Sequence, residues 1–369
     1  MSRFITRRLA PADSPLAFAA TTLMAVALAM LLASALFGSV GANPIDAYLT
    51  LLREAFGSVR GFGFSLVRAA PLTLIALATV VSWRAGFGYL GFEGCFVLGA
   101  TAATWFGLLT GADGALGPLP FALFLPLVIL VSFAAGAVWA ALVGALRVRF
   151  GGNEVLISLM TNYVAILLVQ YLISGPLRAP GGLPQSERLP TAMWLPFIFP
   201  GSRAHAGILI ALVACLLVWA LLRKTPLGYE LIVAGLNPAA ARYGGVDVNR
   251  RLMFAACAAG GLGAVAGMVE LLGVQHRLVD GMSGGVGFIG VVVALLSRLN
   301  PLAVLPTAIV FGGMTVGADA MQRGSGVPSS IAFILQALIV LFVLAGDLAR
   351  HYRVAVPRRR RTLFGEAAR

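Results

Sequence analysis

Three carboxylates stand in or at the ends of apolar runs of this chain, Glu93, Glu154 and Glu270, with Asn162 and Gln170 as uncharged companions. An ionisable group held out of water is costly, so each is a candidate for function. Glu154 and Glu270 lie near the ends of their runs, where capping, headgroup contact or pairing with Arg147, Arg149 or Arg277 explains them equally well. Gly281-Met282-Ser283-Gly284-Gly285 has the Gly-x-Ser-x-Gly form, but a serine nucleophile needs a base, and His205, His276 and His351 all fall outside the apolar runs. An intramembrane serine protease is therefore a minor alternative. The chemistry these groups offer is polar contact to a passing solute.

Other reactive motifs fail. A P-loop needs glycines followed by Gly-Lys-Ser/Thr, and the only lysine, Lys224, follows Leu222-Arg223. Work driven by ATP would have to come from another subunit. Gly285-x-Gly287-x-x-Gly290 satisfies the dinucleotide pattern, but no strand precedes it. These glycines, with Gly260, Gly263 and Gly267, read instead as small surfaces that let helices approach closely. Cys95, Cys215 and Cys257 are isolated and no His-Glu-x-x-His spacing occurs, so neither a metal nor a cofactor is expected in this chain.

The elements that hold these residues follow from composition. Of 369 residues, 59% are apolar and 11% charged, and the mean hydropathy is +0.93. That excess asks for lipid as solvent. About ten segments are long enough to be spans: 16–38, 64–82, 89–109, 119–146, 153–174, 206–222, 252–274, 286–299, 301–321 and 327–349. The first follows Arg7-Arg8 like a secretory signal, but its run is longer than a signal core. With the N-terminus in the cytoplasm, inner segments carry 19 Arg and Lys and outer ones 7. The chain reads as an all-α polytopic membrane protein with an arm over 1–15, a transmembrane region over 16–349 and a basic tail over 350–369. Its net charge of +13 is then a topology signal, with Arg358–Arg361 among anionic headgroups and no nucleic-acid partner expected.

Two connections exceed a tight turn, an outer loop over 175–205 and an inner one over 223–251. In the inner loop Asn237 and Pro238 are good residues to open a helix, as N-cap and first position. Segments three and eight are each interrupted by glycines at corresponding places in the two halves, at Gly91, Gly94 and Gly99 and at Gly284, Gly285, Gly287 and Gly290. Paired broken helices of this kind mark a substrate path in repeat-built transporters.

Several blocks carry a resemblance: Gly91-Phe92-Glu93-Gly94, Gly152-Asn153-Glu154-Val155, Leu159-Met160-Thr161-Asn162-Tyr163, Tyr171–Pro176, Thr225–Leu231, Gly235–Val246, Val293–Leu296, Asn300-Pro301 and Phe311-Gly312-Gly313. In that order they span roughly 65–345. The chain resembles the permease subunits of ABC importers for nucleosides and simple sugars, the kind paired with basic-membrane-protein-type lipoproteins. The resemblance implies a type II-like helical permease without an ATPase site, dimerising with itself or with a second permease. It also implies ATP-binding cassette ATPase subunits, an external binding lipoprotein or periplasmic protein, and a bacterial plasma membrane with both termini inside. The expected cargo is a small polar solute, foremost a nucleoside. The alternatives are a sugar or a branched-chain amino acid, or an ion-coupled secondary transporter. Glu93, Asn153, Glu154, Asn162 and Tyr163 are the expected path residues. Gly228, Tyr229, Glu230, Gly235, Leu236, Asn237, Pro238, Ala239, Arg242 and Tyr243 are the expected ATPase contact. The family pattern has Asn and Gln where this chain has Tyr89 and Cys95, Arg at Ile232 and Asp at Ile289. That loss of polar groups leans towards a heterodimer whose partner supplies them.

Overall fold

Membrane lipid offers the backbone no hydrogen bonds, so the apolar runs must close theirs internally as helices. The computed structural model describes residues 5–8, 15–39, 41–111, 114–199, 201–325, 328 and 330–355. Arg358–Arg361 and most of the 1–15 arm lie outside them. The helices are α1 (Pro15–Ser39), α2 (Pro44–Phe56), α3 (Val59–Arg84), α4 (Phe92–Leu109), α5 (Phe121–Phe150), α6 (Glu154–Ser174), α7 (Gly207–Lys224), α8 (Pro226–Leu236), α9 (Pro238–Tyr243), α10 (Val248–Glu270), α11 (Val286–Leu296), α12 (Pro301–Ser325) and α13 (Ser330–His351). A π-helical turn, Leu271–Gln275, prolongs α10.

Each of the ten segments read from the sequence coincides with a helix. Among the described residues seven are long and apolar enough to cross a membrane: α3, α4, α5, α6, α7, α10 with its π turn, and α12. α11 has 11 residues, about half a crossing. Two helices lie where loops were expected. α8 fills the inner connection ahead of α9, and α2 occupies the stretch between the first two segments. α2 buries Ala47, Leu51 and Ala55, one face at a spacing of four, and leaves Ile45, Leu49 and Leu52 exposed. Its Phe56 and Leu51 seat against Gly313 and Gly317 of α12.

Two compact units divide the chain. In the unit formed by 1–44 and 330–369, α1 packs on α13, and β1 (Ile5–Arg8) pairs antiparallel with β2 (Tyr352–Ala355). In the unit 45–329, α3 is the central helix, contacted by α7, α10, α11 and α12, while α10 lies between α3, α4 and α5. α3 is buried on nearly every side from Ser65 to Ser82. Its Thr73, Thr79 and Ser82 hydroxyls donate to carbonyls four residues back, at 2.8, 3.0 and 3.1 Å, which closes each polar group without a partner helix. Glycine permits the closest approaches: a methyl on Gly136 or Gly260 would strike the backbone of the other, and one on Gly267 would strike the Phe96 carbonyl.

Candidate functional site

The break before α4 is held by one face of α6. Glu154, Ser158 and Asn162 are spaced by four and so share that face. Glu154 Oε1 accepts from Gly88 N–H at 3.5 Å, Ser158 Oγ from Leu90 N–H at 3.0 Å, and Asn162 Oδ1 from Gly94 N–H at 2.8 Å. Asn162 Nδ2 also donates to the Leu90 carbonyl at 2.9 Å. Gly91, at the cap position of α4, has no side chain to close the orphan N–H groups of the first turn. Asn162 closes one of them from the neighbouring helix.

Glu93, in the first turn of α4, performs the matching act for α11. Its Oε2 accepts from Gly287 N–H at 3.0 Å. α11 starts from Gly284 and Gly285, whose φ of +54° and +83° lie in the left-handed region. A methyl on Gly287 would meet the Glu93 backbone nitrogen at 2.6 Å. The carboxylate thus sits between two helix N-termini, whose partial positive charge favours an anion. Asn162 lies eight residues beyond Glu154, so this junction is about 12 Å from the start of α6. Glu93 is 5% exposed.

The expected path residues separate in space. Glu93, Asn162 and Glu154 join at the break, and Glu154 also pairs with Arg147 at 3.3 Å. Asn153 is the N-cap of α6, accepting from Val155 and Leu156 N–H at 3.0 and 3.3 Å. Tyr163 is 65% exposed on the outside of α6. Ser158 was absent from the sequence reading, and its only signal is the spacing of four shared with Glu154 and Asn162. Tyr89 and Cys95 are fully buried and touch each other, hydroxyl to Sγ at 3.1 Å.

At the end of α3 where Arg84 donates to the Leu299 carbonyl at 2.9 Å, α8 and α9 form a small platform. Thr225 caps α8 through Gly228 N–H at 3.1 Å, Asn237 caps α9 through Ala239 and Ala240 N–H at 3.1 Å, and Asp247 caps α10 through Arg250 N–H at 3.1 Å. Ala234, Ala241 and Val248 form its core. Gly235 rests on the Arg84–Gly86 backbone, and Glu230 pairs with Arg251. Tyr229, Leu236 and Tyr243 project outward, Tyr243 being 98% exposed, and Pro238, Ala239 and Arg242 are exposed beside them.

At the other end the loop 175–205 is pinned to the turn after α10. Ser186, Leu189 and Leu195 N–H donate to the carbonyls of Leu278, His276 and Leu272 at 2.9, 2.9 and 3.1 Å. His276 stacks on Trp194 at 3.7 Å between ring centres. Burial pushes His205 down to about 4, with His276 adding to the effect, and burial likewise lowers His276. Neutral His205 accepts from Gly207 N–H at its Nδ1, 3.1 Å away.

Residues 61–344 match a family described as the permease component of branched-chain amino acid transport systems. The chain is 34% identical over 315 residues to the guanosine ABC transporter permease protein NupP of Bacillus subtilis (strain 168), covering 84% of this chain and 88% of that protein. It is 33% identical over 347 residues to the glucose ABC transporter permease protein TsgB13 of Haloferax volcanii, covering 91% and 90%. Against the nucleoside ABC transporter permease protein NupB of Lactococcus lactis subsp. cremoris it is 29% identical over 331 residues, covering 87% and 89%. No solved structure matches the chain significantly. With its crossing helices, paired broken helices and extended match, the chain belongs to this permease family and is a membrane-spanning subunit of an ABC transporter.

Proposed function

We propose that this permease carries a nucleoside inward past the junction of α4 and α11, driven by ATPase subunits docked on residues 228–243. The observation that carries the reading is Glu93, a buried carboxylate between two helix N-termini about 12 Å inside the bundle. Carboxylate oxygens and helix-start N–H groups together offer acceptors and donors to a neutral solute that has both hydroxyl and carbonyl groups. Guanosine transport by a relative at 34% identity favours a nucleoside over other such solutes.

On this reading α1, α11 and α13 join the seven longer helices as spans, in a type II-like fold with the arm 1–15, the transmembrane region 16–349 and the tail 350–369. The bias of 19 basic residues to 7 puts both termini and the 223–251 loop inside a bacterial plasma membrane, and the 175–205 loop outside. Asn153, Glu154, Asn162 and Tyr163 brace or line the path with Glu93. A second permease subunit, of the same or a different sequence, and an external binding lipoprotein complete the assembly. The test is uptake of labelled guanosine by the assembled transporter, with unlabelled nucleosides, glucose and leucine as competitors. Uptake of guanosine that nucleosides alone compete with is expected; no uptake of guanosine, with uptake of labelled glucose in its place, would transfer the assignment to a sugar, the reading favoured by the 33% identical glucose relative.

A further inference from the structure

At the end of α3 remote from the α8–α9 platform, a cavity of about 530 Å³ opens between the α2–α3 turn, α3, α12 and residue 203. That volume suits a small-molecule site. Arg60, Arg68, Arg203 and Arg323 line it, against Glu54 and Asp319. Among the described residues Arg68 alone of the four has a carboxylate within 4.0 Å, Glu270, and that at the limit of the range. None of the four guanidiniums donates a hydrogen bond to a described protein group. A second cavity of about 140 Å³ adjoins it, sharing Phe64, Arg68 and Arg203. Four arginines around one cavity repel one another, and their planar donor forks match phosphate oxygens.

We propose that this cavity binds a phosphate group, supplied by the headgroup of an anionic phospholipid. The surroundings favour lipid over a soluble phosphate. Leu49 and Leu52 of α2 and Val59 and Phe62 at the start of α3 are all exposed, on the same two helices that supply Glu54, Arg60 and Arg68 to the cavity, and give acyl chains apolar surface on which to lie. Glu54 and Asp319 supply acceptors for the hydroxyls of a headgroup such as glycerol. The site is separate from the α4–α11 junction and does not depend on the cargo.

The experiment compares thermal unfolding of the full chain in nanodiscs of phosphatidylcholine with that in discs containing phosphatidylglycerol, alongside native mass spectrometry for retained lipid. Phosphatidylglycerol is expected to raise the melting point and to remain bound through detergent extraction. The triple variant R60Q/R203Q/R323Q should lose both effects, with retained lipid reduced about tenfold or more. R60K/R203K/R323K keeps the charge without the forks and should hold an intermediate amount. Protection by inorganic phosphate in phosphatidylcholine discs, with none from phosphatidylglycerol, would support the phosphate site and overturn lipid as its source. Equal melting of the wild-type chain in both discs, with and without phosphate, would overturn the site. So would a triple variant that melts and retains lipid as the wild type does yet no longer captures an acidic binding protein, which would make the face a protein dock.

Discussion

Glu93 and Asn162 answer different physical needs at one junction, and substitutions separate them. Glu93→Gln keeps size and an acceptor for Gly287 N–H but removes the charge between the helix N-termini. Charge-assisted bonds are about twice as strong as neutral ones. Uptake by the assembled transporter should therefore fall about tenfold or more, while membrane insertion and ATPase co-purification stay at the wild-type level. Full uptake by this variant would remove Glu93 from the path. Asn162→Ala leaves Gly94 N–H and the Leu90 carbonyl unpaired in a buried place, which should cost about 1–3 kcal/mol in a detergent unfolding assay. His205 gives a pH signature. Its folded value is about 4, below the ordinary 6.5, so the folded state favours the neutral ring. The stabilisation is complete above pH 6.5 and is lost as pH falls towards 4, by at most about 3 kcal/mol. A melting point that drops through this window, and a flatter profile for His205→Gln, is the expected result. Of these residues, Glu93 and Asn162 stood out in the sequence because polar groups in apolar runs are few, and the structure brings both to one junction. Asn153 and Tyr163 drew the same reading from sequence neighbours; the first is the N-cap of α6 and the second is exposed on its outside, so any part they take in the path is away from the junction itself. One letter along a helix turns a side chain about 100°, and the run around Tyr163 is apolar on all sides, so no periodicity told which face was buried.

At the α8–α9 platform the proposed coupling role can be tested through an element's packing. A methyl on Gly235 would strike the Arg84 carbonyl and the adjoining backbone, so Gly235→Ala must push α8 away from the end of α3. Asn237→Ala removes the cap from a helix of 6 residues at a cost of about 1 kcal/mol. Both variants should insert normally but lose coupling, seen as ATPase activity that no longer tracks uptake. Tyr243→Ala, by contrast, touches no buried partner and should weaken ATPase co-purification without changing thermal stability. α9 was legible from Asn237-Pro238, a local signal that needs no tertiary context. α2 was not, since its 13 residues are too few to cross a membrane and include Asp46, Arg53 and Glu54. Its buried face becomes apparent only once α12 offers Gly313 and Gly317 to receive Phe56 and Leu51. α11 shows the converse: its glycines announced a break, but the partner that closes the break, Glu93, lies 194 residues away in sequence.

For the whole molecule, charge and packing give independent accounts of the same two ends. Basic residues at the loops counted as inner, Arg84, Arg147, Arg223, Lys224, Arg250 and Arg298, belong to segments that meet in space. Arg84 reaches Leu299, Gly235 rests on Arg84, and the start of α6 bonds to Gly88. The loops counted as outer meet at the far end, where 186–195 is bonded to 272–278 and Gln170 donates to Asp280 at 3.0 Å. Alternation of spans comes from the order of the apolar segments and the charge bias follows from it, while the contacts use neither, so the grouping of loops at two ends in the structure agrees with the alternation. Which side is the cytoplasm then rests on the positive bias. A fluorescent protein fused after Asn249 and a periplasm-active phosphatase inserted after Glu187 should both report activity. The exchanged fusions should both be silent. The reverse pattern would invert the molecule, placing Tyr229, Leu236 and Tyr243 outside the cell, where no ATPase could reach them. In that case the platform would face the binding protein, and the arginine cavity would look onto the cytoplasmic leaflet.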